Sequence, residues 1–139
     1  MVDYTVNLIP NDEMYEKIIS MLRSQPHGLQ TVNQSNYNPL RFRPIAISIE
    51  TKAPDAPKEE AKIQLGMWAA AYFDRIRMLS DKKPVTVTLP LLYVSGAEWF
   101  LLFACDRGQR VVCSSIRTSC LPGSHILTGT VWEAFHRRY

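Results

Sequence analysis

Hydrophobic and small or polar residues alternate over Ile45-Ala46-Ile47-Ser48-Ile49-Glu50-Thr51-Lys52, the period of a pleated strand. Side chains two apart share a face, so Ser48, Glu50 and Lys52 point one way, and Ile45, Ile47 and Ile49 the other, toward apolar packing. A second alternating run, 2–9, starts almost at the first residue, and Pro10 ends it. Asn11 or Asp12 then caps a helix to about Arg23, with Met14, Ile18, Met21 and Leu22 as its apolar stripe. The polar stretch 29–43, bounded by Pro39 and Pro44, reads as a loop. After the stiff turn 53–57, a helix runs from Pro57 or Lys58 to Leu79. Its middle, 66–73, is small and apolar nearly all round, which predicts a largely buried helix.

The second half is richer in strands. Residues 80–84 read as a polar turn. A strand over 85–93, broken at Pro90, is followed by an apolar strand over 98–105 that should be buried on both faces. A hairpin turn at 106–108 leads into a strand over 109–116. Pro122-Gly123 marks a loop, and Thr128 or Thr130 caps a final helix ending near Tyr139. The order β-α-β-α-β-β-β-α describes an α/β fold: a mixed central sheet flanked by helices, in one domain spanning 1–139. Because the first strand has almost no lead-in, the chain is expected to be truncated at its N-terminus relative to its kin.

Composition narrows the picture only moderately. The hydrophobic share of 46%, the charged share of 21% and the net charge of +3 are those of an ordinary globular domain that tolerates an anionic partner without demanding one. Cys105, Cys113 and Cys120 form no CxxC pair, so neither a disulfide framework nor a zinc site is expected. No signal peptide and no apolar run of membrane-spanning length is visible, which points to an intracellular protein of the cytoplasm or nucleus, with no membrane partner. His27, His125 and His136 do not cluster with one another or with carboxylates. Ser114, Ser115 and Cys113 lack a nucleophile elbow and a nearby base. Trp68, Tyr72 and Phe73 have the spacing of core residues, and Trp99 and Trp132 are also read as core.

Glu50 and Lys52 alone are compatible with a solvated strand end carrying one weak ion pair. Two further residues change that reading: Asp3 on the first strand and Gln64 on the long helix. The pattern Asp, then Glu-x-Lys, then a helical Gln resembles the PD-(D/E)XK nuclease superfamily. Ile49-Glu50-Thr51-Lys52 matches the (D/E)XK element. Val2-Asp3-Tyr4 matches the PD element, with Val2 in place of Pro. Gln64-Leu65-Gly66-Met67-Trp68 is similar to the Gln-x-x-x-Tyr element of the RecB-like branch, with Trp for Tyr. These stretches, with Pro44-Ile45 and Glu60-Ala61, more narrowly resemble a nuclease-like domain family of fungal proteins.

The resemblance implies a restriction-endonuclease-like core and Mg²⁺- or Mn²⁺-dependent hydrolysis of nucleic acid. Asp3, Glu50, Lys52 and Gln64 would be the catalytic set. Asp3, Glu50 and the Thr51 carbonyl would hold the metal, since Mg²⁺ needs only one or two carboxylates. Lys52 would orient the attacking water or stabilise developing negative charge. Superfamily members also carry a helix before the first core strand, often with a further Glu, and a shorter segment between the two acidic elements. These departures keep two other classes open. One is a re-purposed fold binding or transforming a small molecule in a pocket at Tyr4, Ser48, Glu50, Lys52, Gln64 and Trp68. The other is a non-catalytic module that forms a homodimer.

Overall fold

A computed structural model describes residues 2–80, 86–108, 110–118 and 129–136, with side chains at 2–80, 86–108 and 111–114. In chain order it contains β1 (Tyr4–Asn7), α1 (Asp12–Arg23), β2 (Ile45–Lys52), α2 (Lys58–Leu79), β3 (Thr88–Ser95), β4 (Glu98–Asp106), β5 (Arg110–Thr118) and β6 (Gly129–His136). The six strands form one sheet in sequence order. β2 and β3 are parallel, joined through α2; every other neighbouring pair is antiparallel. A parallel pair needs such a crossover, and the helix it carries packs back onto the sheet.

The α/β class and the mixed sheet match the expectation, and the last element corrects it. Residues 129–136 form a strand, not a helix. Thr130, Val131, Trp132 and Phe135 give this segment a β-branched and aromatic composition. It pairs along β5 from Arg110↔His136 to Ile116↔Gly129, so the backbone groups of β5 find partners on both sides. The expected turn over 81–84, the loop at Pro122-Gly123, Cys120, His125 and the side chains of Trp132 and His136 lie outside the described residues.

α2 packs on one sheet face. Ala61, Leu65, Ala69 and Phe73 are wholly buried, against Leu89, Leu91, Tyr93, Leu102, Ala104, Val111 and Cys113 from the strands. This burial pushes the Cys113 thiol up to about 12, so it stays protonated at neutral pH. The helix is not buried all round, since Ile63, Met67 and Met78 are exposed. Nor is β4 buried on both faces: Leu102 and Ala104 are covered, Leu101 and Phe103 are half-buried, and Trp99 is exposed. Pro90 fits within β3 because pairing to β2 begins only at Leu91, so its missing N–H lies beyond that ladder.

α1 starts where Asn11 accepts the Met14 N–H at 2.9 Å. Its stripe is buried only at Ile18 and Leu22, which pack with Val32, Phe42 and Leu79; Met14 is exposed. The segment 30–44, which contains one short 3₁₀ turn (Asn38–Leu40), is ordered by buried polar groups. Asn33 donates to the Leu40 and Arg43 carbonyls at 2.7 and 2.9 Å and accepts the Ile45 N–H at 3.0 Å. Arg75 of α2, also buried, donates to the Thr31 carbonyl at 2.9 Å. These bonds fix the entry into β2. No helix among the described residues is long and apolar enough to cross a membrane.

Candidate active site

The side of β2 carrying Ser48, Glu50 and Lys52 faces α2; Ile47 and Ile49 face the other way and are only half-buried. This reverses the burial expected for Ile47 and Ile49, while Ile45 is buried as expected. Ser48 is 0% exposed and Glu50 2% exposed, so the carboxylate is not at a solvated strand end. The crossover decides the matter, because α2 must lie over one face and that face is the polar one.

A polar seam joins β2 to α2. The strand contributes Ser48, Glu50 and Lys52 at steps of two residues, roughly 6.7 Å. The helix contributes Trp68, Gln64 and Glu60 at steps of four, about 6 Å. The two spacings nearly match, and the elements run in opposite directions, so the residues form three rungs. At one end the Trp68 indole N–H donates to Ser48 Oγ at 2.9 Å. At the other, Lys52 Nζ lies 3.8 Å from Glu60 Oε1. Glu50 on the strand and Gln64 on the helix occupy the positions between these two contacts, with no hydrogen bond between them among the described residues. Gln64 Nε2 donates to Glu60 Oε1 at 3.4 Å, while Gln64 Oε1 is buried without a hydrogen-bond partner.

Glu50 uses its two oxygens differently. Oε1 accepts from Lys52 Nζ at 3.0 Å, and Oε2 is buried without a hydrogen-bond partner. The bond to Glu50, reinforced by its charge and those of Glu60 and Asp3, raises the Lys52 amine above its ordinary value. Lys52 is therefore a fixed ammonium at neutral pH, suited to donating a hydrogen bond to an anion rather than to accepting a proton.

Asp3 precedes β1 and reaches across to β2. Its Oδ2 accepts the Thr51 hydroxyl at 2.7 Å and the Thr51 N–H at 2.8 Å. The hydroxyl bond, then the N–H bond, lowers the Asp3 carboxyl below its ordinary value. Asp3 is thus tied to the residue between Glu50 and Lys52 and is exposed. Tyr4 pairs with Ile49, which puts it on the face away from α2; it is 64% exposed and is not brought to Glu50. The structure therefore brings together Ser48, Glu50, Lys52, Gln64 and Trp68, with Asp3 joined to them through Thr51. His27 is exposed, and Tyr72 and Phe73 are core; Trp68 is half-buried and tied to Ser48 rather than serving packing alone.

The turn between β2 and α2 is held from the neighbouring hairpin. Gly96 sits at φ +57, and a Cβ there would lie 3.0 Å from Pro54 Cγ, so the left-handed backbone and the tight approach both favour glycine. Ser95 Oγ donates to the Ala53 carbonyl at 3.5 Å. Lys58 bridges to Glu98 at 3.1 Å.

One residue of this face was missed in the sequence: Tyr93. It pairs with Glu50 across the parallel ladder, is 3% exposed, and its hydroxyl is buried without a hydrogen-bond partner. The sequence placed it only at the end of the strand over 85–93, and the register shows what it adjoins.

Among the described residues, no group of three or more His, Cys, Asp or Glu side chains is arranged to hold a metal ion. The donor set is sparser and still fits a hard divalent cation, since Glu50 Oε2 is a buried, unpartnered carboxylate oxygen and Mg²⁺ is held by one or two carboxylates plus water. An open cleft of about 330 Å³ lined by Ile9, Pro10, Tyr15, Pro39, Phe42 and Arg43 shares no residue with this seam.

A family model described as the PD-(D/E)XK nuclease superfamily matches residues 1–131. No curated protein and no solved structure matches the chain.

Proposed function

The chain belongs to the PD-(D/E)XK nuclease superfamily, and from that premise we propose that it hydrolyses phosphodiester bonds of nucleic acid with Mg²⁺ or Mn²⁺ held at Glu50. The observation carrying this reading is the division of labour on one buried carboxylate: Oε1 holds Lys52, and Oε2 is unpartnered. Glu50 Oε2, an Asp3 oxygen and the Thr51 carbonyl would hold the cation. A bound divalent cation polarises a phosphoryl oxygen and acidifies water.

The chain's own residues supply the rest. Lys52, kept protonated by Glu50, places an ammonium where negative charge develops on phosphorus oxygens. Water adds to phosphorus, the bond to one ester oxygen breaks, and the proton lost by water balances the charge of the leaving oxygen. Asp3 ties the first strand to Thr51 and so sets where the Glu50-Thr51-Lys52 segment ends. Gln64, on the helix above Glu50, would meet the nucleotide or a water. Plasmid, single-stranded DNA and RNA incubated with Mn²⁺ should be cleaved by the native protein and not by Lys52→Ala. Equal cleavage by both proteins would contradict the proposal.

A homodimer is a second reading, supported by the sheet's outer strand. Among the described residues β1 bonds only to β2, and Tyr4, Val6, Leu8 and Ile9 on or beside it are exposed. Such an edge fits pairing with a second copy. Light scattering at high concentration should give twice the chain mass; a single chain mass at every concentration removes this reading.

A further inference from the structure

We propose that Tyr93 is a positioning residue of the Glu50 centre, its hydroxyl acting with Glu50 Oε2 and Gln64 Oε1 to hold one hydrated divalent cation. The inference deepens the metal-dependent reading and rests on it. Its basis is the distribution of buried polar atoms. Among the described residues, three side-chain oxygens beneath or on α2 are buried without a hydrogen-bond partner: Glu50 Oε2, Gln64 Oε1 and the Tyr93 hydroxyl. Leaving each of them unpaired costs its full desolvation, most of all for a charged group.

The three belong to adjoining positions. Glu50 and Tyr93 are register partners on neighbouring parallel strands and share the face under α2. Gln64 is the helical member of the rung that Glu50 forms, bracketed by the Trp68–Ser48 and Glu60–Lys52 contacts. Two of the three oxygens only accept. A carboxylate oxygen and an amide oxygen cannot satisfy each other, and one phenolic proton can serve only one of them. A cation carrying water serves all three, by direct coordination to the carboxylate and by water hydrogen bonds to the amide and the phenol.

Packing does not explain the hydroxyl. The Tyr93 ring stacks on Phe100 with centroids 5.3 Å apart and planes at 22°, and Tyr93 lies within the main core cluster. A phenylalanine would make the same contacts without the unpaired oxygen. A buried phenol at a position where phenylalanine would make the same contacts points to a polar role for its hydroxyl.

The test compares the native protein with Tyr93→Phe, reading Mn²⁺ affinity from the loss of the free-ion paramagnetic resonance signal, and melting temperature in metal-free buffer. The expected result is Mn²⁺ binding weakened about 10-fold, the lower end of losses seen for residues around a metal, with the metal-free melting temperature unchanged or higher. Equal Mn²⁺ affinity in the two proteins overturns the role of Tyr93 and leaves the Glu50 reading standing. A lower metal-free melting temperature in Tyr93→Phe would make the hydroxyl structural and also overturn it. No Mn²⁺ binding by the native protein removes the metal reading itself, and this inference with it.

Discussion

Lys52 Nζ sits 3.0 Å from Glu50 Oε1 while Glu50 Oε2 is buried without a partner. One carboxylate thus fixes an ammonium and presents a second oxygen. Because the bond to Glu50 raises the Lys52 value above 10.5, the pair's contribution is fully present below the unfolded value and is lost as pH rises through the folded one. The difference in melting temperature between the native protein and Glu50→Gln should be constant at neutral to mildly alkaline pH, then shrink above about pH 10.5. Thermal melts across that range measure it. A difference that stays level throughout would show that Glu50 does not hold Lys52.

Asp3 gives the opposite dependence. Its carboxyl is lowered below 3.8 by the Thr51 hydroxyl and N–H, so its contribution is present above 3.8 and lost as pH falls through the folded value. The group is exposed, and Asp3→Asn should cost only about 0.5–1 kcal/mol near neutrality. In acid the native and Asp3→Asn melting curves should converge. A gap that persists in acid would assign the effect to something other than the Asp3–Thr51 bonds.

Ser48→Ala removes the oxygen that accepts the Trp68 indole N–H and should destabilise by about 1–2 kcal/mol in urea unfolding. Trp68→Phe loses the same bond from the other side. The double variant should therefore cost less than the two single losses together. Strict additivity would mean that the 2.9 Å contact contributes nothing to holding α2 over β2.

Asn33→Asp exchanges a donor that meets the Leu40 and Arg43 carbonyls for an oxygen. The cost should be about 3 kcal/mol, from two unpaired buried carbonyls facing a carboxylate. Urea titration measures it, and a loss under about 1 kcal/mol would contradict the buried geometry.

Much of this arrangement was legible in the residues. The period-two runs at 2–9 and 45–52, the Asn11 cap and the stiff turn at 53–57 carried the first two strands and helices α1 and α2, because local periodicity, capping and turn chemistry act over a few residues. That Ser48, Glu50 and Lys52 share one strand face, and Gln64 and Trp68 one helix face, follows from i+2 and i+4 spacings; only the family resemblance put the two sets together, and it included Tyr4, which lies elsewhere. Which face of β2 lies under α2 was not, because that depends on where the crossover lands. Ile47 and Ile49 suggested the wrong side, although Ile45 is buried. Thr128 and Thr130 imitate helix caps in the sequence, and only the open edge of β5 turns residues 129–136 into a strand. Tyr93 was hidden for a similar reason: its partnership with Glu50 is a register between strands 43 positions apart in the chain, and nothing local encodes it.

The central claim is that Glu50 Oε2 is a ligand for a divalent cation. Crystals of the protein soaked in Mn²⁺, with data collected at the manganese absorption edge, test it most directly. An anomalous peak about 2.1 Å from Glu50 Oε2, the contact distance of a small divalent ion with oxygen, is the predicted result. Saturating Mn²⁺ with no peak at Glu50 would contradict the account.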